Sequence, residues 1–220
     1  MKSIAIFGAA ALVASSASAA FTGFSVDRVI NAAGNAQYTV YGNWDQSNIT
    51  FLNAFNLQVT SGAMNAFHSG LGESSWIPQG TASASHVSND SWVTSTGTHV
   101  GSQTALDPSF VETDADGNPI ADALAQPPLN SGWYDATPGT ANAVGAGGSQ
   151  GGYRIRLMQI VRELANDSVC TFQMVLGHKL ANTTTALFAG SGQQITIGVP
   201  APGAVALLGL AGLAARRRRG

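Results

Sequence analysis

The side chains best placed to do chemistry by type and spacing are Glu112, Asp114, Asp116, Gly117 and Asn118. Alternate oxygen donors followed by glycine match the first half of a calcium loop, in which carboxylates coordinate a hard cation. The match ends there, because Pro119 follows Asn118 and the twelfth position counted from Glu112 is Ala123 rather than a bidentate glutamate. Asp-Gly and Asn-Pro are also ordinary turn dipeptides, so the segment reads first as a turn and second as an opportunistic Ca²⁺ site. His68, His86, His99 and His178 show no H-x-H or H-x-x-x-H spacing. A zinc site needs three or four converging ligands, so these histidines read as surface or loop residues.

The other reactive types are as sparse. Cys170 is the single cysteine, which excludes an intramolecular disulfide. It falls among apolar residues of one parity, where a thiol packs as a small hydrophobe rather than serving as a nucleophile. No G-x-S-x-G elbow marks a serine nucleophile. Glu73, Glu112 and Glu163 have no setting that reveals the paired carboxylates of a glycosidase. Trp44, Trp76, Trp92 and the Trp133-Tyr134 pair could stack on sugar rings if exposed, but large rings more often fill the core of such a domain. The sequence thus predicts no cofactor and no catalytic residues.

The elements that must position these groups are strands. Ile49, Phe51, Phe55, Leu57 and Val59 share one parity, interrupted by Asn53, with polar residues filling most of the other; that is the pattern of a half-buried strand. Tyr38, Val40 and Trp44 repeat it just before. Residues 91–98 form a β-prone run rich in threonine. Later, Cys170, Phe172, Met174, Leu176 and Leu180 face one way and Thr171, Gln173 and Lys179 the other, and residues 194–199 supply a last strand. Residues 153–163 fit a strand through Tyr153, Ile155, Leu157 and Val161. They also fit a helix through Leu157, Ile160, Val161 and Leu164; Asn166-Asp167-Ser168 as a following turn favours the strand. Between 102 and 152 the periodicity fades into a long segment with five prolines and a glycine-rich end, either a functional loop or a linker between two small sheets. Short antiparallel strands between Gly, Asn and Pro turns predict a mainly β fold, a β-sandwich or jelly-roll-like domain.

Composition agrees. The chain is 45% hydrophobic and only 10% charged, unlike a disordered polyelectrolyte. Of its ten basic residues, Lys2 and Arg216 to Arg219 lie at the two ends. The region between keeps five basic residues against twelve acidic ones, a net charge of about −7. No Lys/Arg cluster remains there to engage a phosphate backbone, so nucleic acid is not an expected partner.

The two ends carry the plainest signals. Met1-Lys2-Ser3, an apolar run over 4–13 and small residues ending Ala17-Ser18-Ala19 make a secretory signal peptide, cut after Ala19 or, alternatively, after Ala20. Its expected partners are a signal peptidase and the export machinery. At the other end, Val199-Pro200-Ala201-Pro202-Gly203 precedes an apolar run over 204–215, then Arg216, Arg217, Arg218, Arg219 and Gly220. Twelve apolar residues reach about 18 Å as a helix, short of the ~30 Å hydrocarbon core. Four arginines favour the cytoplasmic side, leaving the domain outside. The tail is therefore a transient membrane stop or a C-terminal anchor.

The Pro motif, the apolar helix and the terminal Arg cluster together resemble the PEP-CTERM sorting signal of bacterial exported proteins. The resemblance covers about the last 22 residues. It implies recognition by an exosortase-like membrane protease, a cut near Val199, Pro200 and Pro202, and delivery to the cell envelope, the outer surface or an extracellular matrix containing exopolysaccharide. Ala201 stands where that motif usually carries glutamate, so either the tail is cut or it stays as an anchor. The expected organisation is a signal peptide over 1–19, a β domain over 20–198 and a sorting segment over 199–220. The expected role is that of a non-enzymatic surface or matrix protein. A carbohydrate-binding module is the alternative and a secreted hydrolase a further one.

Overall fold

A computed structural model describes residues 20–68, 76, 87–95, 104–107, 110, 125–138, 144–145, 153–181 and 183–200. Within them the chain forms β1 (Phe21–Ile30), β2 (Ala36–Trp44), β3 (Ile49–Ser61), β4 (Trp92–Val93), β5 (Thr104–Leu106), β6 (Ser131–Asp135), β7 (Val144–Gly145), β8 (Tyr153–Arg162), β9 (Cys170–Leu180), β10 (Leu187–Ala189) and β11 (Ile195–Ile197). The protein is mainly β and its strand pairs are antiparallel. A smaller sheet runs β1-β2-β8-β4, with β7 also on β8. A larger one runs β10-β9-β3-β6-β5, with β11 also on β9. One contiguous core draws on both: Tyr38, Val40, Trp44, Ile155 and Ile160 from the smaller sheet, and Phe51, Leu57, Phe172, Met174 and Leu176 from the larger.

Local chemistry sets the pairings. Between β1 and β2 the Asn31 side chain accepts from the amides of Ala33 and Asn35 at 3.0 and 2.9 Å, while Gly34 takes φ +83°. That is an Asx-type turn, and it fixes the hairpin register. β8 is the strand of the two readings open for 153–163, paired along its length with β2 from Ala36↔Arg162 to Trp44↔Tyr153. Its near-continuous burial explains the lack of a clean alternation, since a strand covered on both faces loses the two-residue period. Its outer side is covered in part by residues 87–90, whose Val87 and Asp90 carbonyls accept from Gln159 Nε2 at 2.7 and 2.8 Å.

Three expectations need correction, and one strand goes unannounced in the sequence: β1 lacks a clear apolar period. The 102–152 segment is not featureless: it contributes β5, β6 and β7. In β3 the single parity fails. Ile49 and Phe51 face the core, but bulges after Phe51 and Phe55, with Asn56 at φ +53°, hand the inward positions to Ala54 and Leu57. Phe55 consequently turns outward onto Phe188, with ring centroids 5.9 Å apart. A bulge adds a residue to one strand and so flips every later side chain. His178 is a core residue at 2% exposure rather than a surface one.

The registers also place the two chain exits at opposite ends of the sheets. Phe21 pairs with Trp44 at one pole, where Trp44 packs on His178. Ile30, Ala36, Arg162 and the Cys170↔Ile197 pair lie at the other. Ten residues of β1 separate the poles by roughly 30 Å.

Candidate functional site

At the pole where the chain leaves the domain lies a polar cluster. Arg162 faces inward beside Ile160 and is fully buried. Its guanidinium donates to the carbonyls of Asn166 at 2.6 Å, Ser168 at 2.7 Å and Ala63 at 3.1 Å, and reaches Asp167 Oδ1 at 3.4 Å. Asp167 also accepts from Tyr38 Oη at 2.6 Å and from Arg28 at 2.9 Å. The hydrogen bond to Asp167, then that to Tyr38, raises the Arg28 pKa above its ordinary value. Burial, with the Asp167 bond next, raises that of Tyr38. Cys170 is held up by burial against the opposing pull of the Arg162 charge, so its thiolate is disfavoured. The Asp167 carbonyl accepts from the Val199 amide at 2.9 Å, which ties Val199 to this cluster.

The opposite pole holds polar atoms without partners. Both ring nitrogens of His178 and Trp44 Nε1 are buried and make no hydrogen bond; the two rings meet edge to face at 5.5 Å. Desolvation lowers the His178 pKa, leaving the ring neutral. Elsewhere His68 Nδ1 lies 3.3 Å from Asp90 Oδ1, with Trp76 edge-on at 5.1 Å. Neither nitrogen of His68 makes a well-formed hydrogen bond, so the pair lacks the aligned nucleophile contact of a triad.

The third place is the outer face of the larger sheet. Strand pairing lines up Phe188, Gly177, Asn53, Tyr134 and Ala105 in one row across β10, β9, β3, β6 and β5. Phe188 and Tyr134 are 68% and 47% exposed and stand three strand spacings apart, about 14 Å. Between them Gly177 leaves the space that Asn53 occupies, and Asn53 Oδ1 is buried without a partner. Beside this row runs a relay of uncharged side chains. Thr60 donates to Gln194 at 2.7 Å, Gln194 to Gln173 at 3.1 Å, Gln173 to Gln58 at 3.3 Å, and Gln58 to Asn130 at 2.5 Å. Of the outward residues of β9, namely Thr171, Gln173, Val175, Gly177 and Lys179, only the last is charged.

No family model, curated protein or solved structure matches the chain.

Several residues singled out by sequence lie outside the described residues: Ala17, Ala19, Glu112, Asp114, Asp116, Pro202, Arg216, Arg217, Arg218 and Arg219, with His86 and His99. Among the described residues no three His, Cys, Asp or Glu side chains converge, and no helix is long and apolar enough to cross a membrane. Val199 and Pro200 are exposed where the chain emerges. Trp44, Trp76, Trp92 and Trp133 are each within 1% of full burial, so none offers a sugar-stacking surface. Sequence reasoning missed Arg162, which stands at the parity opposite Tyr153, Ile155, Leu157 and Val161 and turns inward with Ile160 only past the register shift between Val40 and Tyr41. It also missed the Phe188–Tyr134 row, which exists only through cross-strand register.

Proposed function

We propose that this is an exported β-sandwich protein of jelly-roll-like form, sorted through its C-terminal tail to the cell surface or extracellular matrix, and acting there by association rather than by turnover. The observation that carries this reading is the pairing of a leader and a Pro-apolar-Arg tail around a domain whose buried charges hold its own fold. The Arg162–Asp167–Arg28–Tyr38 cluster is spent on carbonyls and on one another, and the thiol at Cys170 is buried and disfavoured as thiolate. Fractionating the native host and weighing the intact protein tests the reading. A mass lacking the leader, in the envelope or matrix fraction, supports it; an uncut chain in the cell interior refutes it.

A second reading is favoured by the outer face of the larger sheet. Exposed rings at Tyr134 and Phe188, an amide between them and a run of Gln, Asn and Thr side chains suit a neutral polysaccharide, whose rings stack and whose hydroxyls exchange hydrogen bonds. The protein is expected to be retarded on a gel containing uncharged exopolysaccharide. Tyr134→Ala and Phe188→Ala should each abolish the retardation, with unfolding changed by no more than about 0.5 to 1.5 kcal/mol, the worth of the Phe55–Phe188 ring contact. Equal retardation of all three proteins would reject this face.

A further inference from the structure

The Ala20 amide donates to Asp45 Oδ1 at 2.9 Å, and the Asp45 amide donates back to the Ala20 carbonyl at 3.2 Å. Asp45 directly follows Trp44, which is buried and packed against Phe21 at 5.3 Å. The β1–β2 ladder therefore ends on a rigid aromatic base, and these two bonds close it one residue further. A backbone amide has a single proton and needs only a neutral acceptor. A carboxylate there supplies a charge that an internal amide does not use.

We infer that Asp45 is the receiving site for a new chain terminus created at Ala20. Hydrolysis breaks the 19–20 peptide bond. Water gives its hydroxyl to the Ala19 carbonyl carbon and a proton to the Ala20 nitrogen, which takes up a second from solvent to become an ammonium. That group carries three donors and a positive charge at the position now 2.9 Å from the carboxylate, turning a neutral-donor bond into a charge-assisted one. Cleavage one residue later would leave Phe21 first and remove both bonds. The structure thus selects between the two cleavage positions that the leader leaves open. It also gives processing a consequence: the mature terminus locks the edge strand β1 to the end of β2. The inference rests on the export reading for its biological setting, while the pairing itself is tested without it.

The experiment uses the full chain with a site-specific protease sequence replacing residues 14–19, cut to leave Ala20 first. A second version, with the sequence placed one residue earlier, leaves Ala19 first and moves the ammonium off Asp45. Each is made with Asp45 and with Asp45→Asn, and unfolding in urea is followed by tryptophan fluorescence. D45N is expected to raise the unfolded-to-folded ratio about twofold to fivefold more in the Ala20-first chain than in the Ala19-first chain. The difference should shrink in molar salt. An equal effect of D45N in both chains overturns the pairing. The uncut gene expressed with its leader in an export-competent bacterium gives the second arm, by intact mass. A chain beginning at Ala20 supports the inference and one beginning at Phe21 overturns it. A retained leader overturns the export reading instead, and the cut chains alone then decide the pairing.

Discussion

Replacing Arg162 with methionine should be the most damaging single change outside the aromatic core. The side chain is fully buried, and methionine approximates its aliphatic volume, so a cavity contributes little. What is lost is polar. The carbonyls of Ala63 and Ser168 lose a charged donor and that of Asn166 keeps only the bond from Asn65 at 3.3 Å; an acceptor left without a partner costs about 1 to 3 kcal/mol. Asp167 loses one of its two cationic partners but keeps Arg28 and Tyr38, so its share is small. One gain offsets the loss, since Arg162 Nε is buried without a partner and its removal returns about 1 kcal/mol. The net expectation is a loss of about 1 to 5 kcal/mol, which overlaps the range for breaking a buried charged contact. In a domain of this size that lowers Tm by roughly 2 to 20 °C. Urea unfolding read from the four buried tryptophans measures it. The control is Arg154→Met, which breaks the partly exposed pair with Asp27 and should cost under about 1 kcal/mol. A loss below about 1 kcal/mol for Arg162→Met would refute the reasoning, by showing that water or rearrangement satisfies those carbonyls.

Three further outcomes are expected. His178 has a folded-state pKa depressed by burial, so the unfolded chain binds its proton first. Its contribution is fully present above the unfolded value of about 6.5 and is lost as pH falls below it toward the folded value; His178→Phe should flatten the stability-versus-pH curve in that window. Gly177→Ala places a methyl group against Asn53 Oδ1 and should cost about 1 to 3 kcal/mol. Adding Asn53→Ala should recover part of that loss, giving a non-additive cycle in urea unfolding. Cys170, buried and with its thiolate disfavoured, should resist an aromatic disulfide reagent at pH 8 in the native protein and react at once in urea; fast native labelling would contradict its placement.

The legible part of the fold is the part written in one-residue alternation. Cys170, Phe172, Met174 and Leu176 face the core as their parity implies, and β2 and β11 follow the same rule. β3 is legible as a strand but not in its faces, because the bulges after Phe51 and Phe55 depend on pairing with β9 and β6. β1 is illegible because it is an edge strand with Val29 and Ile30 half-exposed, where apolar residues carry no period. The fully buried tryptophans follow as core residues from their size. The candidate face does not: Phe188, Gly177, Asn53 and Tyr134 are distant in sequence and meet only across four strands. Ala20 and Asp45, 25 residues apart, are joined by the β1–β2 register in the same way.

The export account stands or falls most directly on the intact mass of the protein recovered from its native host after fractionation. The account predicts a chain that begins at Ala20, ends beyond Val199 because that residue is bonded into the domain, and partitions with the outer surface or matrix. A full-length mass from Met1 to Gly220 in the cytosolic fraction would contradict it.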